Sequence, residues 1–445
     1  LKLSKESDTT KALHELAIDI IKTLQVAEFE KAGGALDRAI LAGVPVSNEY
    51  ALLVVRRSEQ NLGTASTRES RQKAKEDLKG ALDRQPTDPT ILASIYGDLA
   101  RAAIQDSDSQ EVNSYLDKAD SLPSDQVPAS TREWIKRLHA LDQIDNAEYE
   151  KGYESANTAY HIEPTDYATS LAAEAMLWWA RCKDTAWKLG KEEAGLEQCK
   201  RQFLLRDEEL EGSVNLTPAQ ELELKKMYQQ AADRIAPLVA KRYQGGDFVL
   251  MRANHFLDQD NKSLEVFSRI VQKDPKDAAA LDDLIFVCSQ YLFNFDCAYS
   301  AAQKSARLLD PKAGSTPVDY LNVAEMAVLK GDDRQAQEWL NMASAQPQTM
   351  RPRDESLMYL YRLWVAMRKG QSDEFKTDFE SWKEATVRFR DSKDNLGWVF
   401  RGARQALDHS RSVIGKGNAG LLASMMDALE NNNQTLPNWP ESGGI

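Results

Sequence analysis

A short pattern recurs along the chain and constrains its fold more than any other feature. A small residue is followed four positions on by a bulky one, three further on by another small one, and about five later by proline. Ala74, Leu78, Ala81 and Pro86 carry it without adjustment. So do Gly152, Ala156, Ala159 and Pro164, with Ala in the bulky place, and Ser263, Phe267, Ile270 and Pro275, with Ile third. With a one-residue slip near the proline it returns at Ala32/Leu36/Ala39/Pro45, Val112/Leu116/Ala119/Pro123, Ala298/Ala302/Ser305/Pro311 and Ala336/Leu340/Ala343/Pro347. Spacings of three and four put these side chains on one helical face. Small residues let that helix approach its neighbours closely, the bulky one fills the gap, and proline stops the helix. A unit of this kind cannot bury its apolar face alone and needs stacked copies.

Other signals agree. No sustained two-residue alternation and no Asn-Gly or Asp-Gly turn marks a strand. Helix starts are signed chemically: Thr217-Pro218-Ala219-Gln220 is a capping box with proline in the first turn, and Asp88-Pro89 and Thr316-Pro317 are similar. The fold class is all-α. The prolines at 45, 86, 123, 164, 275, 311 and 347 lie 36–41 residues apart, save the stretch from 164 to 275, which equals three periods of 37. Within that stretch, Lys188 to Glu211 reads as one long helix ending in the loop Gly212 to Leu216. A second long helix runs from Pro218 to about Tyr243, stopped by Gly245-Gly246. These are two overlong repeat helices or a joint between two lobes.

The units resemble the tetratricopeptide repeat family, whose nominal period is 34 residues in a helix–turn–helix. The best unit runs from Val318 to Pro347. Tyr320, Val323, Ala324 and Ala327 mark its first helix, Gly331-Asp332 its turn, and Ala336, Leu340 and Ala343 its second helix. A further unit carries Tyr359, Leu363 and Ala366, then Gly370, then Phe375, Phe379 and Trp382, without a closing proline. The resemblance covers about residues 10–385 and fades between Tyr167 and Gln244. It implies a right-handed superhelical solenoid of antiparallel helix hairpins. The expected parts are an N-terminal lobe at 1–211 and a second lobe at 212–390 that opens with a long helix. Capping helices follow at 391–430, near Leu396–Ser410 and Ala419–Leu429, and then a loose tail at 431–445.

The resemblance also implies a concave groove, lined by the first helix of each unit, that holds a protein or peptide. By the phase of the flanking units, Trp134, Leu171, Trp178, Trp179, Phe248, Leu321, Leu360 and Trp364 point into it. Adjacent helical residues lie about 100° apart, so Trp178 and Trp179 are not expected both to face one core. The Lys and Asn pattern by which some members grip a terminal carboxylate is not apparent on that face.

Composition narrows the partner. A net charge of −13, from 69 acidic and 56 basic residues, argues against nucleic acid or an anionic membrane surface. No apolar run approaches the ~18–20 residues that cross a bilayer. Cys182, Cys199, Cys288 and Cys297 lack CxxC spacing; they are two disulfides across helix hairpins or, as the favoured reading for a chain this long, buried small residues.

Catalytic chemistry is sparse. Gly415-Lys-Gly417-Asn-Ala-Gly420 has the G-x-G-x-x-G spacing, but a dinucleotide site needs a preceding strand, and Gln405–Val413 is helical in pattern. It reads as a flexible interhelix loop with Asn418 as cap. His14, His139, His161, His255 and His409 have no second His or Cys at i+3 or i+4, so no metal site is expected. Glu208-Glu209 and Asp282-Asp283 read as surface charge. No cofactor is expected. The expected function is a non-catalytic scaffold for a protein or peptide. The alternative is a regulatory or sensory repeat domain cut from a larger protein, since the chain opens at Leu1 without an initiator Met.

Overall fold

The computed structural model describes residues 14–24, 28–63, 67–193, 196–200, 213–308, 316–345, 350–391, 400–430 and 435–438. Pro311, Pro347, Glu208-Glu209, Gly212 and most of the tail lie outside them. All regular structure among the described residues is helical. The helices fall into two units, the first running through Leu238 and the second starting at Val239.

In the first unit a helical stretch at 14–23 precedes α1 (Phe29–Leu41), α2 (Ser47–Asn61), α3 (Arg68–Asp83), α4 (Pro89–Gln105), α5 (Ser109–Asp120), α6 (Ala129–Asp145), α7 (Tyr149–Ile162), α8 (Asp166–Lys188) and α9 (Pro218–Ala240). Helices α2/α3, α4/α5 and α6/α7 pair as hairpins, and the first helices of neighbouring hairpins touch each other: α2 with α4, α4 with α6, α6 with α8. The second unit also pairs its helices as hairpins, α10 (Gly246–Phe256)/α11 (Asp260–Lys273), α12 (Ala278–Phe286)/α13 (Phe295–Ala306), α14 (Pro317–Lys330)/α15 (Asp333–Ser344) and α16 (Pro352–Lys369)/α17 (Ser372–Asp391), and α14 touches α16. α18 (Arg401–Ile414) and α19 (Lys416–Glu430) follow. This is a tetratricopeptide-like array of helix hairpins. The small–bulky–small face is its core: Ala74, Leu78, Ala81, Ala156, Ala159, Phe267, Ala302, Ala336, Leu340 and Ala343 are fully buried.

The hairpin turns share one backbone design. In five hairpins the residue that starts the second helix donates its N–H to a carbonyl five residues back: Asp108 to Ala103 (3.0 Å), Glu148 to Gln143 (2.8 Å), Gln259 to Asn254 (2.8 Å), Asp332 to Ala327 (2.9 Å) and Gln371 to Ala366 (3.1 Å). Before it sits a residue of positive φ: Ser107 (58°), Ala147 (60°), Asp258 (56°), Gly331 (89°) and Gly370 (69°). This is the helix-closing bond that requires a left-handed residue, normally glycine. One turn deviates. The π-helical segment Val287–Tyr291 adds a residue to the ring, so Asn294 reaches back six residues, to Cys288 (2.8 Å), with Phe293 at φ 50°.

Several expectations are corrected. The long helix expected over Lys188–Glu211 ends at Lys188, because Gly190 (φ 61°) turns the chain. Residues 196–200 hold only a 3-10 turn, Glu197–Cys199, and 201–212 lie outside the described residues. α9 groups with the first unit as far as Leu238, so the second unit opens at Val239 rather than at 212. The cysteines are paired, Cys182 with Cys199 and Cys288 with Cys297. The first strap holds the 3-10 turn on α8, where the Tyr149 hydroxyl also donates to the Cys199 carbonyl (2.7 Å). The glycine motif is a tight corner between α18 and α19: Gly415 (φ 84°) closes α18, and buried Asn418 donates to the Ile414 carbonyl (2.8 Å) instead of capping a loop.

Candidate partner-binding site

The side of the second unit formed by its first helices carries a helix. α18 buries Gly402, Ala403, Ala406, Leu407 and Ile414 and leaves Asp408, His409 and Val413 exposed. It packs over the π segment, α14 and α16, all of them first-helix elements. Small residues permit that approach: a Cβ on Gly402 would run into the Ser289 carbonyl oxygen. The Gly402 N–H donates to Gln290 Oε1 (3.0 Å). Lying in the first turn of α18, this N–H has no acceptor within its own helix, and Gln290 supplies one from across the interface.

Arg401 makes a second tie. Its Nη1 donates to His255 Nε2 (2.8 Å), and since arginine only donates, Nε2 must accept. The ring proton therefore sits on Nδ1, which donates to Asp260 Oδ1 (3.0 Å). The imidazole lies parallel to Tyr291, centroids 4.0 Å apart, and the Arg401 guanidinium covers the Phe293 ring at 5.5 Å. Two hairpins thus grip the start of α18. α19 supports it from behind, burying Leu421, Leu422, Met425, Met426 and Leu429 against a side that includes α16. Arg404 bridges the two helices through Asp427 (2.7 Å) and Glu430.

Beside α18 lies a cavity of about 800 Å³. Its walls are the turn Leu292–Asp296, the turn Leu329–Gly331, Arg368, and Ala406, His409 and Val413 of α18. Its charges are matched: Lys330 meets Asp296 (2.8 Å) and Arg368 meets Asp333 (2.7 Å) while also donating to the Val328 carbonyl (2.8 Å). Burial lowers the pKa of Arg368 and raises that of Asp333. Deeper in the unit, burial pushes the Glu325 carboxyl up to about 7, offset in part by the Tyr361 hydroxyl. Among the described residues no group of three His, Cys, Asp or Glu is arranged to hold a metal, and no helix is long and apolar enough to cross a membrane.

Of the eight residues expected to line a groove, five are buried and three half-buried. Leu171 and Trp178 in the first unit and Leu321, Leu360 and Trp364 in the second are buried, so in this conformation they are core. Trp134, Trp179 and Phe248 are half-buried. Trp134 lies on Gly97, where a Cβ would strike its ring (2.6 Å to Cη2), so it joins α6 to α4. Trp178 donates its indole N–H to Glu174 (3.1 Å). Trp179 stacks on Tyr153 (5.8 Å) and donates to Glu193 (3.2 Å), and Lys183 sits 5.0 Å from its ring and 5.2 Å from that of Trp187. Phe248 lies under Arg252 at 5.4 Å. The physical reason is that the side of a first helix turned toward the next first helix is packed, not open. His255, Gln290, Arg401 and Gly402 escaped the sequence reading. The available signal was the small-residue stripe Gly402, Ala403, Ala406 on a sharply amphipathic helix.

No protein-family model matches the chain, and no curated protein matches it. Among solved structures the chain is similar to the apo form of RapI, with a TM-score of 0.49 and 7% identity over 85% of this chain and 97% of that one. It is similar to the apo form of the quorum sensor NprR from B. thuringiensis, with a TM-score of 0.41 and 10% identity over 85% and 98%. For the APC/C hetero-tetramer Cut9-Hcn1 the values are 0.30 and 13% over 92% and 85%.

Proposed function

We propose that the chain is a non-catalytic scaffold that binds a protein partner on the inner, first-helix face of its hairpins. One observation carries this reading: in the second unit that face accepts an amphipathic helix, α18, through a small-residue stripe and two directional polar ties. A surface that seats one helix has the shape and the acceptors to seat another. The charge of −13 favours a protein partner over a nucleic acid.

Photocrosslinking from two positions tests it. A benzophenone amino acid replaces Lys330 at the end of a first helix, or Val387 on second helix α17, and cell extract from the source is illuminated with each. Crosslinks to one protein are expected from position 330 and not from 387. Equal or preferential capture at 387 would refute the inner-face reading.

A further inference from the structure

We propose that α18 is an exchangeable occupant of the inner face of the second unit, and that this face takes from a partner the N-terminal turn of an amphipathic helix carrying an arginine followed by glycine. The inference rests on the inner-face reading above and adds the class of partner and the means of control.

Three features support exchange. First, α18 is held by little apolar surface. Its buried stripe is Gly402, Ala403 and Ala406, with Leu407 and Ile414 as its large side chains and Phe400 at its N-cap. α16 by contrast buries Leu357, Leu360, Tyr361, Leu363 and Trp364. Since hydrophobic stabilisation follows the apolar area removed from water, α18 is released more easily than α16.

Second, the remaining ties recognise a helix start, not a particular chain. Gln290 Oε1 accepts an N–H of the kind that every helix leaves unpaired in its first turn. His255, held by Asp260 in the tautomer with a bare Nε2, accepts one guanidinium N–H, and Phe293 lies under the same group. The Ser289 carbonyl excludes any side chain at the position after the arginine. Register and direction are therefore set by backbone and arginine together, and any helix that presents the same pair satisfies the same acceptors.

Third, the fit of α18 is incomplete. The cavity of about 800 Å³ runs along Ala406, His409 and Val413. A partner with a larger apolar side chain in place of exposed Val413 gains contacts that α18 lacks, which gives it the differential affinity that exchange requires.

The test uses the full chain, wild type and Gly402→Val, and a helix-stapled, fluorescein-labelled peptide of residues 400–415 read by fluorescence polarisation. Gly402→Val puts a side chain against Ser289 and frees the face without altering it. The variant is expected to bind the peptide at least tenfold tighter than wild type, which must first release its own helix. Gly402→Val in the peptide should abolish binding, and Val413→Phe in the peptide should tighten it. Equal binding by both chains overturns the exchange but leaves the inner-face reading standing. No binding to either folded chain overturns both. Should the Gly402→Val chain not fold, Arg401→Glu in the full chain serves the same comparison with the same outcomes.

Discussion

At Asp98 burial and charge conflict openly. It is 1% exposed in α4 and accepts the Ser58 hydroxyl at 2.6 Å. Burial raises its pKa from 3.8 to about 7, against the Ser58 bond and with a contribution from Glu59. The folded state thus keeps a proton that the unfolded chain releases near pH 4. The associated stability is full below the unfolded value and is lost as pH rises through about 7. Asp98→Asn should therefore gain on wild type between pH 5 and pH 8, by at most about 3 kcal/mol, as read from urea midpoints. A difference independent of pH would show that Asp98 ionises without cost. The two adjacent tryptophans make a second contrast. Trp178→Ala should cost ~3–5 kcal/mol, the loss for a buried tryptophan, and Trp179→Ala about 1 kcal/mol, since it gives up a partly exposed stack and a cation contact. Similar losses in urea unfolding would contradict their unequal burial. The 100° between neighbouring helical residues was legible in the sequence and separates this pair. Which of the two turns inward was not, because that depends on the neighbouring helix.

At the scale of elements, the second helices were legible because their small–bulky–small face has one environment, the hairpin interior. The segment after α8 was not. Lys191, Glu192, Glu193 and Glu197 favour a helix, but Gly190 turns the chain and the Cys182–Cys199 bridge holds the 3-10 turn against α8. A covalent tie to a distant residue outweighs local propensity, which is a weak prior. Guanidinium-unfolded protein without reductant should accordingly take up no iodoacetamide, whereas reduced protein should take up four. Reduction of the Cys182–Cys199 loop should lower stability by ~3 kcal/mol. Four alkylated thiols without reductant would remove both bridges from the account.

On the scale of the whole molecule, each hairpin meets mainly its sequence neighbours, so a defect should stay near its origin. Leu340→Ala empties a fully buried site in α15 and should cost 2–5 kcal/mol locally. Hydrogen exchange is expected to rise in α14 to α16 and to remain unchanged in α4 of the first unit. Uniformly faster exchange would indicate a single cooperative core. The occupied first-helix face was the least legible feature of the sequence. Its acceptors, His255 and Gln290, precede Arg401 by more than a hundred residues, and no periodicity connects them. The limit of the first unit was hidden for a similar reason, since α9 carries no repeat pattern to show which hairpins it joins.

The shared turn has an evolutionary consequence. Ser107, Ala147, Asp258, Phe293, Gly331 and Gly370 occupy one structural position, yet they have almost no side-chain chemistry in common. The bond that closes each turn joins main-chain atoms, so mutation can rewrite the letters while the torsion persists. Such a lineage diverges in spelling long before it diverges in form. Its distant members are better sought by a rhythm of left-handed residues along the backbone than by any consensus of amino acids.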